Sequence, residues 1–289
     1  MSLVRKTLSH RKKIFEFIQT FQQPQTLTVV SWGDLQGNGL PSTSTNNIYM
    51  LYSSYPVNDC TNVTFPVWIR LPTNYDNQKR CSTIIMYDAN CYFDKSRCTK
   101  GDEYNIDEHL NRMESTASNT SCLIALLMGS PEGQNVDACP LENYLKTTKE
   151  ILNNQASSLP VNAEPSENIL FGIGHGATMV FQVLPIMFYW ARQCMIINPI
   201  YSDQTGQQAM NNIQNFVRQS NPYAEYTNCV ITAPATDPAT NQYTRPLADM
   251  LTNSSAYVHV RFMKPTNTFY SMRPMLLTFD LTVGFQKLA

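Results

Sequence analysis

The chain is 289 residues long with a formal net charge of −1. That length supports one large α/β domain with a substantial core, and the near-neutral balance gives no electrostatic case for nucleic acid or an anionic membrane. No window reaches about 18 apolar residues, so no transmembrane helix is expected.

In chain order, residues 2 to 22 read as a helix. Ser2 can cap it, and Leu3, Ile14, Phe17, Ile18 and Phe21 form a partial apolar stripe. Its basic residues, Arg5, Lys6, Arg11, Lys12 and Lys13, have no apolar h-region behind them, so no signal peptide is read. The cluster from Arg11 to Lys13 reads as a solvated face rather than an RNA or membrane contact. Residues 23 to 45 are rich in Gln, Gly, Ser and Thr and read as an irregular arm. Extended runs follow at 46–55, 63–71, 82–88, 122–128, 168–173, 194–200, 227–233 and 256–263. Helical patterns fall near 104–116, 141–156, 176–192, 206–219, 244–253 and 270–287. Early hairpin-like strands followed by strand–helix alternation predict a mostly parallel sheet with helices on both faces. The expected division is a helix and irregular arm at 1–45 and an α/β domain at 46–289.

Charged residues make up 15% of the chain, against about a quarter in ordinary domains. The uncharged polar side is heavy instead, with 26 Asn and 27 Thr. Interface cores are depleted in charge, so this composition suits a subunit covered by neighbours. Nucleotide bias in a genome would produce it too. With no signal peptide read, the eight cysteines are expected mostly as reduced thiols. Cys122, Cys194 and Cys229 fall inside apolar β-like runs and are expected in the core. Cys91 and Cys98 share one loop and are the pair most open to bridging. No Cys or His spacing suggests zinc, and no metal or cofactor is expected. Asn62-Val63-Thr64, Asn119-Thr120-Ser121 and Asn253-Ser254-Ser255 match the glycosylation sequon, which matters only if the chain is secreted.

The most informative stretch is Phe171-Gly172-Ile173-Gly174-His175-Gly176-Ala177-Thr178. An apolar β-like run leads in and an apolar helix-like run, Met179 to Trp190, leads out. A strand, a sharp turn and a helix are the setting of a G-x-S-x-G nucleophile elbow. Such an elbow holds its central residue in a strained conformation. Gly174 meets that conformation without strain but carries no oxygen to attack a carbonyl.

Upstream, Phe65-Pro66-Val67-Trp68-Ile69-Arg70-Leu71-Pro72-Thr73-Asn74-Tyr75-Asp76 precedes an apolar run ending Tyr87-Asp88-Ala89-Asn90. Phe93-Asp94, Asn105-Ile106-Asp107-Glu108-His109-Leu110 and an apolar run ending at Gly129 follow in turn. This collinear series resembles the putative-esterase family of α/β-hydrolases, the esterase D and enterochelin-esterase-like group. The resemblance implies a three-layer α/β-hydrolase-like fold from about Asn46 onward.

It also implies where a catalytic triad would lie. The nucleophile position is Gly174. The carboxylate position is Asp237, although Asp-Pro also favours a plain turn. The histidine position falls on Asn267 (or Thr268), and neither can accept and return a proton near neutral pH. The oxyanion loop matches Asp88-Ala89-Asn90, with the His175 N–H as second donor. His175 reads as a structural histidine directed into helix–sheet packing. His109 reads as a surface residue, His259 as solvent-facing or capped, and His10 as part of the basic helix. Ser130, in Gly129-Ser130-Pro131, is an alternative nucleophile, or simply a turn residue.

Losing nucleophile and base together argues against hydrolysis at this site. The expectation is a catalytically inactive esterase-like protein acting as a structural or assembly subunit. A virion capsid or capsid-decoration protein is its concrete form. Its partners would be other protein subunits, with residues 2–22 as a contact, and its location the virion or cytoplasm. Two alternatives stand beside it. One is an active carboxylic-ester hydrolase with a rearranged site. The other is a small-ligand binding module using a relic pocket of Asp88, Ala89, Asn90, Gly174 and His175.

Overall fold

The computed structural model describes residues 48–72, 75, 81–93, 104–116, 123–156, 168–187, 190–218, 228–254 and 257–263. All of them belong to one compact unit, Ser31–Ala289. The expected N-terminal helix, the arm before residue 48, the 270–287 helix and Asn267 lie outside the described residues.

Among the described residues nine strands form one sheet. They are β1 (Ile48–Pro56), β2 (Val63–Arg70), β3 (Ser82–Tyr87), β4 (Leu123–Met128), β5 (Glu132–Gly133), β6 (Ile169–Ile173), β7 (Gln193–Ile197), β8 (Asn228–Pro234) and β9 (Tyr257–Met263). The order is β1-β2-β4-β3-β6-β7-β8-β9, with β5 beside β2. β2 runs antiparallel to β1, β4 and β5, and every pair from β4 through β9 is parallel. The helices are α1 (Ile106–Thr116), α2 (Leu141–Ala156), α3 (His175–Met187), α4 (Asp203–Arg218) and α5 (Arg245–Asn253).

The central strands are apolar along their whole length because both faces are covered. Ile84, Ile85 and Met86 on β3 are all fully buried, as are Leu170 and Phe171 on β6. Alternate side chains go to opposite faces. Ile84, Met86, Leu123, Ala125, Phe171 and Met195 join one cluster with Ile106 and Leu110 of α1. The β3-to-β4 step moves one way along the sheet, and the later steps move the other. Right-handed crossovers then put α1 on one face and α2 to α5 on the other. α3 packs on α4, and α4 on α5.

Arg70 at the end of β2 is 1% exposed. Its guanidinium donates to both Glu114 carboxylate oxygens, at 2.6 and 2.8 Å, and to Asn111 Oδ1 at 2.6 Å. This forked pair fixes α1 against the antiparallel side of the sheet.

The expectation of mostly reduced cysteines is corrected. Cys60, in the β1–β2 turn, is disulfide-bonded to Cys139 just before α2, and Cys81 is disulfide-bonded as well. Cys91 is a free thiol, so it does not bridge to Cys98. Spacing along the loop pointed to the wrong pair because the turn after β1 folds onto α2, far away in sequence. Asn58 donates from its side chain to Glu150 Oε2 at 2.5 Å and from its backbone to Thr147 Oγ1 at 3.0 Å. Cys194 and Cys229 are in the core, as expected.

His109 is also corrected. It is 5% exposed, because it follows Ile106 by three residues and shares that buried stripe of α1.

Arg70→Ala removes the guanidinium from the partly buried Glu114 carboxylate. Urea denaturation is expected to register a loss of about 3–5 kcal/mol. A loss under about 1 kcal/mol, the range of exposed pairs, would show that the pair is not structural.

Candidate functional site

Strand ends on a parallel sheet gather at one edge, and the point where the strand order reverses leaves a crevice there. Here the reversal lies between β3 and β6. The loops arriving at that edge carry Asp88 after β3, Ser130 after β4, Gly174 and His175 after β6, Ile200 and Tyr201 after β7, and Asp237 after β8.

Gly174 is the single residue between β6 and α3, with φ +63°. The flanking glycines are required by close approach. A Cβ on Gly172 would sit 2.2 Å from the Gly176 carbonyl carbon, and one on Gly176 would sit 2.2 Å from the Tyr87 carbonyl oxygen. Around Gly174 the nearest atom to a built Cβ is Ile200 Cδ1, at 3.5 Å. The turn is tight on both sides and open at its centre.

Hydrogen bonds hold that turn from two directions. Below it, the Tyr92 hydroxyl accepts from the Ile173 N–H and donates to the Tyr87 carbonyl, each at 2.8 Å. Burial pushes the Tyr92 pKa well up, so the hydroxyl stays neutral and serves both partners. Beside it, the Gly174 N–H donates to the Ile197 carbonyl at 3.0 Å, and the Ile200 N–H donates to the Gly174 carbonyl at 3.1 Å. Thr178 Oγ1 donates to the Ile200 carbonyl at 2.6 Å.

Asp88 adopts a left-handed conformation, φ 55°, at the head of a short 3-10 turn, Ala89–Cys91. Its carboxylate accepts a short hydrogen bond from Ser130 Oγ. The Ser130 N–H donates to Asn90 Oδ1 at 3.2 Å. Burial raises the Asp88 pKa, while the Ser130 hydrogen bond and the nearby His175 oppose the shift. Asp88, Asn90 and Ser130 are thus one hydrogen-bonded group, with His175 in its field and Ala89 fully buried beneath.

His175 is exposed at the first position of α3, which corrects the reading that it packs between helix and sheet. The buried face of α3 begins only at Gly176 and Ala177. Its backbone N–H belongs to the first turn, where helices have no internal acceptor. His259 is exposed on β9.

Asp237 reaches the same edge, in a different role. Its Oδ1 accepts from the Ala239 N–H at 3.1 Å and its backbone carbonyl accepts from the Asn241 N–H at 3.3 Å. That is how an Asp begins a helix. The helix continues through a π turn, Thr240–Thr244, into α5. The Tyr201 hydroxyl lies 3.2 Å from Thr244 Oγ1, and burial raises its pKa, with Asp237 adding to the shift.

Of the residues expected to gather, Asp88 and Asn90 are joined through Ser130, Asp88 lies in the field of His175, and Gly174 precedes His175 in the turn. Sequence reasoning missed the Tyr92 hydroxyl bridge and the Ser130–Asp88 bond. Both join loops more than 40 residues apart, or a backbone pair no motif marks. Among the described residues no group of three or more His, Cys, Asp or Glu gathers to hold a metal ion.

Strands in this order, with a strand–glycine–helix elbow after β6 and an acid after β8, decide the architecture. The chain has an α/β-hydrolase fold. No family model matches the sequence, and no curated protein does. Solved structures do match. The BES protein from Bacillus cereus is 12% identical with a TM-score of 0.60, over 91% of this chain and 97% of its own. The siderophore hydrolase EstA from Aspergillus nidulans is 11% identical at 0.60, over 86% and 98%. The enterobactin esterase FES from Shigella flexneri is 13% identical at 0.58, over 93% of this chain and 65% of its own. The structural neighbours include esterases, and at such identities they establish the fold alone. The putative-esterase resemblance is thereby supported as an esterase-like fold.

Two outcomes are expected from this geometry. Gly174→Ser adds a Cβ at positive φ in ordinary contact with Ile200 and should cost on the order of 1 kcal/mol. Gly172→Ala drives a Cβ into backbone and should cost about 3 kcal/mol or more. Equal costs in urea denaturation would overturn the distinction between the two positions.

The Asp88 pKa is raised in the folded chain. Its contribution to stability is fully present below the unfolded carboxylate value and is lost as pH rises through the folded one. Asp88→Asn removes that loss. The variant is expected to be more stable than the parent at neutral pH. Its advantage should shrink as pH falls through the raised value toward the ordinary carboxylate range. A constant difference from acid to neutral pH would show that Asp88 is not the titrating group.

Proposed function

We propose that this chain is a non-hydrolysing protein on an esterase-like fold that serves as a subunit of a larger assembly. One observation carries the first half. The residue at the centre of the elbow is Gly174, at φ +63°, where a Cβ would fit without a clash and none is present. The other polar groups at the edge are engaged in ways that do not replace it. The Ser130 hydroxyl is bound to a carboxylate rather than to an imidazole, and Asp237 caps its own helix. Acyl transfer by this fold requires a nucleophile activated by a base held in place by a carboxylate.

The assembly half is supported by surface chemistry. A chain with 15% charged residues lacks the charge that keeps free proteins apart. The disulfides favour an oxidising location, such as a virion surface or an extracellular space, over the cytosol. A virion capsid or decoration protein meets both conditions, with residues 2–22 as the tether to neighbouring subunits. A second reading has one observation in its favour: Ser130, Asp88 and His175 stand at one place. In that reading the chain is a hydrolase with a rearranged site.

The two readings separate in one experiment. Short-chain p-nitrophenyl esters are expected to show no turnover above buffer, and Gly174→Ser is expected to leave that unchanged. Saturable hydrolysis lost in Ser130→Ala or His175→Ala would replace the proposal with the second reading. Native mass measurement is expected to find a multimer or a particle, and removal of residues 1–22 to release an intact, cooperatively melting monomer. A full-length chain running at its own 32.8 kDa would overturn the assembly role.

A further inference from the structure

Cys194 and Cys229 form a pair that the site does not use. Cys194 is the second residue of β7 and Cys229 the second of β8, and the two are register partners in the parallel ladder. Both are free thiols in this structure and lie in the core, 1% and 0% exposed. Their Sγ atoms are 2.6 Å apart. Non-bonded heavy atoms rest at about 3.5–4.0 Å, and a disulfide bond is about 2.03–2.05 Å long. Two thiols at the observed distance must separate or bond. Separation is resisted on both sides. Gln193 pairs with Asn228 before them and Met195 with Val230 after them, and the Asn228 N–H donates to the Arg192 carbonyl at 2.7 Å. The ordinary spacing of paired strands is compatible with a bond. Adjacent strands lie about 4.7–4.9 Å apart, inside the roughly 4.4–6.8 Å Cα range of disulfides.

The chain also forms disulfides elsewhere, at Cys60–Cys139 and at Cys81. The conditions under which it matures therefore oxidise cysteine pairs that meet. We infer that Cys194 and Cys229 close into a buried cross-strand disulfide that locks β7 to β8 at the edge of the sheet opposite the elbow.

The chemistry is thiol–disulfide exchange with a small disulfide, such as oxidised glutathione, or with an oxidised dithiol protein. One cysteine thiolate attacks the disulfide and forms a mixed disulfide, releasing one thiolate. The second cysteine attacks that mixed disulfide and releases the other. The two cysteine protons pass to the two released sulfurs. Two cysteine sulfurs are oxidised and one external disulfide is reduced. The step belongs to folding, before the strands close. Once buried, the thiols are shielded from solvent, and the pKa of Cys194 is driven well up, by its partner sulfur first and burial second. A buried thiol of that kind supplies little thiolate.

The bond closes a loop between residues 35 apart in sequence, which contains all of α4. It holds β8 to the inner sheet, and β8 in turn carries Asp237 and pairs with β9. The inference is independent of whether the elbow is catalytic.

Peptide mapping tests it. The full-length protein is denatured in iodoacetamide without reductant and digested with trypsin. Cleavage after Arg192, Arg218 and Arg261 (Pro246 blocks Arg245) puts the two cysteines on separate peptides. A Cys60–Cys139 linkage in the same digest is the internal control for oxidation. If it is open, the protein is refolded in a glutathione redox buffer until it closes. With the control closed, the expected result is one species carrying both the Cys194 and Cys229 peptides, split by reductant. Two separately alkylated peptides, or either cysteine linked elsewhere, would overturn the inference. Cys229→Ser supplies a second reading. Cys194 should then become alkylated after denaturation, and the melting temperature should fall. A variant that melts with the parent would also count against the bond.

Discussion

The Tyr92 hydroxyl accepts one backbone N–H from the end of β6 and donates to one carbonyl at the end of β3, at 2.8 Å each. It fills the point where two central strands and the start of α3 converge. Both backbone groups are buried there, and each would cost about 1–3 kcal/mol if left unpaired. A phenol suits the position because it donates and accepts through one atom. Its ring packs edge-on against Phe171 and Tyr104, so the hydroxyl is held by the same core that buries it. Glycine at 176 follows from this arrangement, since a Cβ there would lie 2.9 Å from that hydroxyl. Glycine at 172 follows in turn, because α3 then begins against the strand itself. The geometry of the elbow is thus set from beneath.

The edge above the elbow is built from groups that satisfy one another. Ser130 answers the Asp88 carboxylate, Asn90 answers the Ser130 N–H, and Thr178 answers the Ile200 carbonyl. Each bond reduces the cost of placing polar atoms in a largely dry place. An activated serine needs a partner that can take its proton near neutral pH, with the acid behind that partner. Here the hydroxyl donates straight to an acid. These bonds clasp the loops that follow β3, β4 and β7.

Much of the fold was legible in the sequence, because it rests on periodicity. Continuous apolar runs such as 82–88 and 122–128 have the length and flanks of buried parallel strands, and each is found within a residue or two of β3 and β4. α4 begins at Asp203, ahead of the apolar pattern near 206, because Ser202 and Thr205 cap it with polar side chains that exchange hydrogen bonds and add nothing to an apolar pattern. β5, two residues long, had no pattern to show. The elbow was legible through its glycines, and the physical demand for them at 172 and 176 is steric. What could not be read were matters of contact across the sheet. The Cys60–Cys139 bond spans 79 residues, and the burial of His109 and exposure of His175 depend on where a helix face begins. Local spacing carries no trace of the disulfide, whereas the Ile106–His109 spacing did carry a sign of the burial at 109.

Because the elbow is held by residues 92, 172, 173, 176 and 178, its shape does not depend on what stands at 174. An L-residue side chain at φ +63° carries strain that the surrounding contacts must offset, and enzymes of this fold accept it for the sake of the exposed nucleophile. Glycine removes that strain while every hydrogen bond of the turn is kept, since the Gly174 contributions come from its own N–H and carbonyl. Selection for binding or assembly alone would therefore favour glycine there on stability grounds, and would keep the flanking glycines because no other residue fits. A chain still selected for hydrolysis could not make that exchange. On the proposed reading, the pairing of a relaxed centre with two sterically obligatory neighbours is what a frame would keep once its chemistry had ceased to be required.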